Sequence, residues 1–349
     1  MKKGGYFPVQ QNRKLFFLLL AIAMLALFIL DILLGSVFIP VRKVIDVLSS
    51  SNQTDEAIAI IIRDFRLPKA ITAVVAGVAL SLSGLQMQTI FRNPLAGPYV
   101  LGISSGASLA VALFSLGFSS VVAAGFTLMG SWSLALAAWT GSFLVMLLVL
   151  FVSARVNDNM TILILGILFS GAAGAVVSIL QYFTSESLLK SFIVWTMGSL
   201  GSITWSQLSV VVPAIAAGVI LSLLKMKDLN AFLLGETYAR SLGVNIHRSR
   251  LVILFSASLL AGTVTAFCGP VGFIGIAVPH LARVLFKTTS HQVLIPAVLL
   301  LGANMLLLSD IIAQLPGMQT TLPINSVTAL LGIPVVIWMI VSNKKFAAL

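Results

Sequence analysis

An all-α polytopic membrane protein is the fold class this sequence predicts, and three observations predict it. Charged residues make up 9% of the 349-residue chain, against about a quarter in an average globular domain. Hydrophobic residues make up 59%, and the mean hydropathy is +1.09. The few charges are bunched between apolar runs that match the roughly 20 residues a spanning helix needs. Within lipid only helices or closed barrels satisfy the backbone, and the continuous runs lack the alternation of a barrel strand.

The runs place ten spans at 15–35, 67–89, 96–117, 121–153, 161–183, 205–225, 249–268, 271–287, 293–315 and 323–342, all within a single transmembrane domain, 1–349. The first could be taken for a signal peptide, but its apolar run is longer than an h-region and no A-x-A pattern follows, so a retained span is expected. With the spans laid out, fifteen of the 21 basic residues fall on one side and six on the other. The minority comprises Arg42, Lys43, Arg63, Arg66, Lys69 and Lys190. The positive-inside rule then puts both termini in the cytoplasm. The net charge of +11 is a topology signal. Because it is spread over many short loops, it does not form a nucleic-acid footprint.

Function classes are narrowed by what the spans lack. Asp31 and Asp310 are the ionisable residues read inside them, each toward the outer end, where reaching the interface or capping a helix is the ordinary reading. A proton- or sodium-driven carrier would be expected to hold more. His247, His280 and His291 all fall on the cytoplasmic side, so no ladder of ligands could pass a bare metal ion across. Cys268 is the single cysteine, and no metal or cofactor site is expected. The chain has no Gly-Lys pair and hence no Walker A loop, so nucleotide chemistry would reside on another polypeptide. Gly102, Gly106 and the stretch Ser170 to Gly174 suit close helix packing. Gln86, Gln88, Ser178, Gln181 and Asn304 are read as facing water, because an amide in hydrocarbon lacks partners. Gly102-Ile103-Ser104-Ser105-Gly106 fits the G-x-S-x-G nucleophile pattern with His280 as a conceivable base, but it opens an apolar helix instead of ending a strand.

Four segments in order carry a resemblance. They are Arg66-Leu67-Pro68-Lys69 running on through GVALSLSGLQMQTIFRNPLAGPYVLGISSGASLA; WTMGSL followed by LLGETYARSLGVN; GPVGFIGIAVPHLARVL; and LLLSDIIAQ with TLPINSVTALLGIPVVIWMI. Together they resemble the FecCD-type permeases of type II ABC importers, which take up ferric siderophores, haem and cobalamin. The resemblance implies the type II importer permease fold, ten spans per subunit and a homodimer or a pair of similar chains. It also implies two cytoplasmic ATP-binding subunits and an extracytoplasmic substrate-binding protein. The permease itself would have no catalytic site.

The same resemblance assigns roles. Arg66 and Lys69 match the family's outer docking cations, with Lys69 in place of a second arginine; a snorkelling anchor is the alternative. The third docking position is occupied here by Gln314. The segment 230–248 is too polar to span and resembles the coupling helices that contact the ATPase, with Glu236, Thr237, Ala239, Arg240, Leu242 and Gly243 in matching positions. The cytoplasmic gate aligns with Asn159, Met160 and Thr161, where Met160 could act as an apolar plug. Gln86, Gln88, Ser178 and Gln181 are the expected pore lining. The expected protein is therefore an inner-membrane subunit importing a bulky metal chelate. An ion-coupled secondary transporter is the main rival and an intramembrane hydrolase the lesser one.

Overall fold

A computed structural model describes residues 9–35, 39–49, 56–117, 132–156, 158–314 and 321–342. The first part of the span expected at 121–153 lies outside these residues. All of the described secondary structure is helical. In chain order, α1 is Val9–Leu33, α2 Val41–Leu48, α3 Glu56–Ile60 and α4 Leu67–Ile90; α5 is Ile103–Ala112, α6 Trp132–Arg155, α7 Asn159–Tyr182 and α8 Glu186–Thr196. Then follow α9 Trp205–Leu224, α10 Met226–Leu233, α11 Glu236–Ser241, α12 Ile246–Cys268, α13 Ile274–Phe286, α14 His291–Ala313 and α15 Ile324–Ser342.

Among the described residues, eight helices are long and apolar enough to cross a membrane; two shorter apolar ones, Ile103–Gly117 and Ile274–Phe286, occupy the other expected spans. At about 1.5 Å per residue, the 13 residues of α13 fall well short of a hydrocarbon core about 30 Å thick. Gly269 at φ +74° and Phe273 at φ +65° break the chain before it. Such irregular backbone is tolerated at membrane depth when protein encloses it, and α13 packs against α4, α14 and α15.

Helix α4 is the centre of the bundle, buried along nearly its whole length. Its sequence explains why. Gly77 meets Gly302 of α14, and Gly84 meets Gly275 of α13, so closely that a methyl group on any of the four would overlap opposing backbone. Small residues here let backbones touch, the main source of cohesion between helices in lipid. Ser81 Oγ donates to the Val298 carbonyl at 2.8 Å, and Ser83 Oγ to that of Ala257 at 2.8 Å. Gly106 of α5 and Gly141 of α6 make a second close crossing.

Pro68 lies in the first turn of α4, where a missing N–H is tolerated. The helix continues backwards through a π-helical stretch, Ile61–Arg66, into α3. A widened turn accommodates the carbonyl one turn back, which a regular helix would leave without a donor because proline has no N–H. The short amphipathic α2 lies beside this stretch, with Ile39, Val44 and Val47 packed against Ile62 and Ala70.

Candidate functional site

At the outer end, under the expected sidedness, α1, α4 and α14 converge on a buried charge cluster. Lys69 Nζ lies 2.7 Å from Asp310 Oδ2 and 3.6 Å from Asp31 Oδ1, with all three side chains 5% exposed or less. Arg66, one turn earlier, donates to the carbonyls of Ile32 and Leu33 at 2.7 and 2.9 Å, at the C-terminal end of α1 where the helix dipole is negative. Two expectations change here. Asp31 and Asp310 neither reach the interface nor cap a helix; they are paired with a cation the sequence reading placed facing outward. Arg66 and Lys69 are themselves turned inward, so a partner's carboxylate would meet charges already engaged within the chain. Asp310 also borders a cavity of about 520 Å³ shared with Gly201, Ser202, Gln314 and Thr321.

The expected pore lining divides in two. Gln86 and Gln88 are buried. Gln86 Nε2 donates to Ser256 Oγ at 2.9 Å, and Gln88 Nε2 to the Ile276 carbonyl at 3.1 Å while its oxygen accepts from Arg283. Neighbouring helices take both Nε2 groups and the Gln88 oxygen, while Gln86 Oε1 is buried without a hydrogen-bond partner among the described residues. The two glutamines therefore bind the bundle together instead of lining a channel. Asn304 behaves likewise, donating to the Leu20 carbonyl at 3.0 Å. Ser178 is exposed and Gln181 half-buried on α7, a helix with most of its surface uncovered.

Gln181 borders a recess of about 320 Å³ with Ser104, Ser105 and Ser108 of α5 and Thr196 of α8. The side chains of Ser104, Ser105, Ser108 and Gln181 make no hydrogen bond to a described residue, unlike Ser81, Ser115 and Ser170, which return theirs to a carbonyl one turn back. Gly171 and Gly174 on the adjoining face of α7 have open space where a side chain would stand. No histidine or carboxylate is among the described residues lining this recess, and His280 instead packs its ring against Trp338. The G-x-S-x-G match thus lacks a base beside its serine.

At the start of α7, Asp158 caps the helix. Its carboxylate accepts from Thr161 N at 2.9 Å, Thr161 Oγ1 at 2.7 Å and Met160 N at 3.3 Å. The Thr161 hydroxyl, above all, holds the Asp158 carboxyl below its usual range. Met160 is 59% exposed, while the side chain of Asn159 lies outside the description.

The segment expected to couple folds as α10 and α11. Gly243 at φ +82° ends α11 with the Val244 N–H returning to the Ala239 carbonyl and the Gly243 N–H to that of Arg240, the Schellman arrangement that glycine permits. Ala239 is buried; Thr237, Arg240, Leu242 and Gly243 are exposed. Glu236 Oε1 accepts from Arg250 at 2.6 Å. Arg92, held at φ +47° in the loop after α4, donates to the Phe232 carbonyl at 3.1 Å. Leu233, Leu234 and Tyr238, which lie in the quoted motif block without an assigned role, stand 42%, 63% and 52% exposed beside Leu242 at 58%. Their signal was present as large apolar residues in a segment too polar to span.

A model of the FecCD transport family matches residues 22–342. The chain belongs to that family. Among relatives of this permease, the hemin transport system permease protein HmuU of Yersinia pestis is 37% identical over 84% of this chain and 87% of its own. The vitamin B12 import system permease protein BtuC of Salmonella typhi is 34% identical over 80% and 83%. The uncharacterized ABC transporter permease YvrB of Bacillus subtilis is 35% identical over 91% and 90%. A solved structure described as an inward-facing conformation of an ABC transporter of metal-chelate type aligns with TM-score 0.79 and 28% identity, covering 94% of this chain and 98% of that one. The FecCD protein described here is thus a multi-pass ABC importer permease of the type II fold.

Proposed function

We propose that this permease imports a bulky metal chelate, a ferric siderophore, haem or cobalamin, through the inner membrane as a homodimer with both termini cytoplasmic. An extracytoplasmic binding protein delivers the cargo, and two ATP-binding subunits drive its passage. The observation that carries this reading is the outward apolar patch of Leu233, Leu234, Tyr238 and Leu242. On an intracellular face such a patch calls for a protein partner, and the exposed Arg240 stands on the same short helix as Tyr238. Docking outside is proposed at the corner of Arg66 and Lys69, by exchange with their internal partners. The proposed cargo path follows the open face of α7 and the hydroxyl recess, with Ser178 and Gln181 retained and the serines of α5 replacing Gln86 and Gln88. Weak, uncharged contacts there favour release over retention. Met160 and Thr161, with Asn159, form the proposed gate.

The test is reconstitution into vesicles with and without the ATPase partner, following haemin, cyanocobalamin and a ferric hydroxamate. Accumulation of one of them only when partner and ATP are both present is the expected result; uptake by the permease alone would falsify the division of labour. One observation favours a second reading. The buried Asp31–Lys69–Asp310 cluster is the kind of intramembrane ionisable group that marks ion-coupled carriers. Uptake that survives ATP depletion yet stops with an ionophore would select that reading.

A further inference from the structure

We infer that His291 is a positioning residue that carries displacement of the coupling segment into the central helix pair, through a relay from Asn230 of α10 to Thr89 of α4. This rests on the reading of α10 and α11 as the ATPase contact.

Three helices meet at one imidazole. Asn230 Oδ1 accepts from the His291 backbone N–H at 2.8 Å and lies 3.0 Å from His291 Nδ1. His291 Nε2 lies 2.9 Å from Thr89 Oγ1. His291 is 1% exposed and Thr89 4%. Proton accounting fixes the direction. A backbone N–H can only donate, so the Asn230 atom is the amide oxygen, and a neutral ring facing it must carry its proton on Nδ1. Nε2 is then an acceptor, and the single Thr89 hydroxyl hydrogen is offered either to it at 2.9 Å or to the Leu85 carbonyl at 2.8 Å. Moving Asn230 therefore turns the ring and changes which acceptor Thr89 uses.

The backbone contact adds to this. The first N–H groups of a helix have no partner within it, and Ser290, in the N-cap position of α14, makes no capping bond with its side chain. Asn230 supplies one from another helix. The coupling segment thus caps α14 directly. Helix α14 and α4 are in turn locked together, by the Gly77–Gly302 contact midway and by Asp310 against Lys69 at the far end. A push at Asn230 is delivered to one end of a rigid pair whose other end borders the outer cavity. The remaining ties of the coupling segment differ. Glu236 and Asp228 fasten it to α12 through Arg250 and Ser249, and Phe232 to the loop at Arg92.

The experiment uses the complex of the permease with its ATPase in vesicles. Ser202→Cys reports from the outer cavity through its rate of reaction with an impermeant methanethiosulfonate, with and without ATP plus vanadate; the native Cys268 is buried. The expected result is a severalfold nucleotide-dependent change in the parent. It should fall by more than half in Asn230→Ala and in Thr89→Val, with ATP hydrolysis retained. The double variant should be no worse than either single one, since the two residues act through the same ring. Thr89→Val keeps the side-chain shape, and thermal melting in detergent verifies that it folds. A full response in both single variants, or losses that add, would overturn the relay. A parent complex that hydrolyses ATP with no response at Ser202→Cys would sink the coupling reading itself, and this inference with it.

Discussion

Lys69 shows what a single residue decides in this bundle. Its ammonium is the shared partner of two buried carboxylates, so removing it leaves Asp31 and Asp310 facing each other away from water. Breaking a buried pair in this way costs about 3–5 kcal/mol, and Lys69→Met should lower the thermal midpoint in detergent accordingly. Adding Asp310→Asn should restore part of the loss, because one charge no longer needs compensation. A Lys69→Met protein as stable as the parent would mean the cluster contributes nothing to the fold. Asp158 poses a milder question at the start of α7. Its hydrogen bonds from Thr161 and Met160 hold it ionised below its ordinary range, so the cap is intact above the unfolded-state value and is lost as pH falls through the lower, folded one. Amide exchange at Met160 and Thr161, corrected for its intrinsic pH dependence, should rise over that acid window and be pH-independent in Asp158→Asn.

Among elements, the contrast between two sets of glycines is instructive. Gly84 and Gly302 sit where α4 touches α13 and α14, and an added methyl group would meet backbone that cannot move aside. Either alanine substitution should cost about 1–3 kcal/mol through overpacking. Gly174 on α7 has empty space at the same position, and Gly174→Ala should leave the melting midpoint of the isolated subunit within error of the parent. Both kinds look alike in sequence, as small residues spaced along apolar runs. What separates them is whether a second helix lies opposite, and no local pattern encodes that. The glutamines follow the same logic: amides avoid hydrocarbon, so the sequence predicts Gln86 and Gln88 to be wet, yet α12 and α13 supply acceptors for their Nε2 groups.

For the whole molecule, the exposed apolar patch of α10 and α11 is the feature that an isolated subunit cannot explain. Leu234→Ser and Tyr238→Asp should weaken capture of the ATPase about tenfold, a loss of ~1.4 kcal/mol, while leaving the subunit's own melting unchanged. Retained affinity would place the contact elsewhere. The α4–α14 pair, braced by glycine contact and ion pair, runs from Asn230 at the N-terminus of α14 to the cavity beside Asp310 at the other end.

The sequence by itself determined that the chain is helical, polytopic and a member of its family, because bilayer thickness imposes long apolar runs and the motif blocks are local. It also marked 230–248 as a segment too polar to span, and the structure folds that stretch as the short helices α10 and α11. Tertiary structure alone decided which polar groups are wet, which cations are free and which glycines are filled. Asp31, Lys69 and Asp310 are far apart along the chain, and the pairing energy that turns them inward exists only once three helices bring them within ion-pair distance.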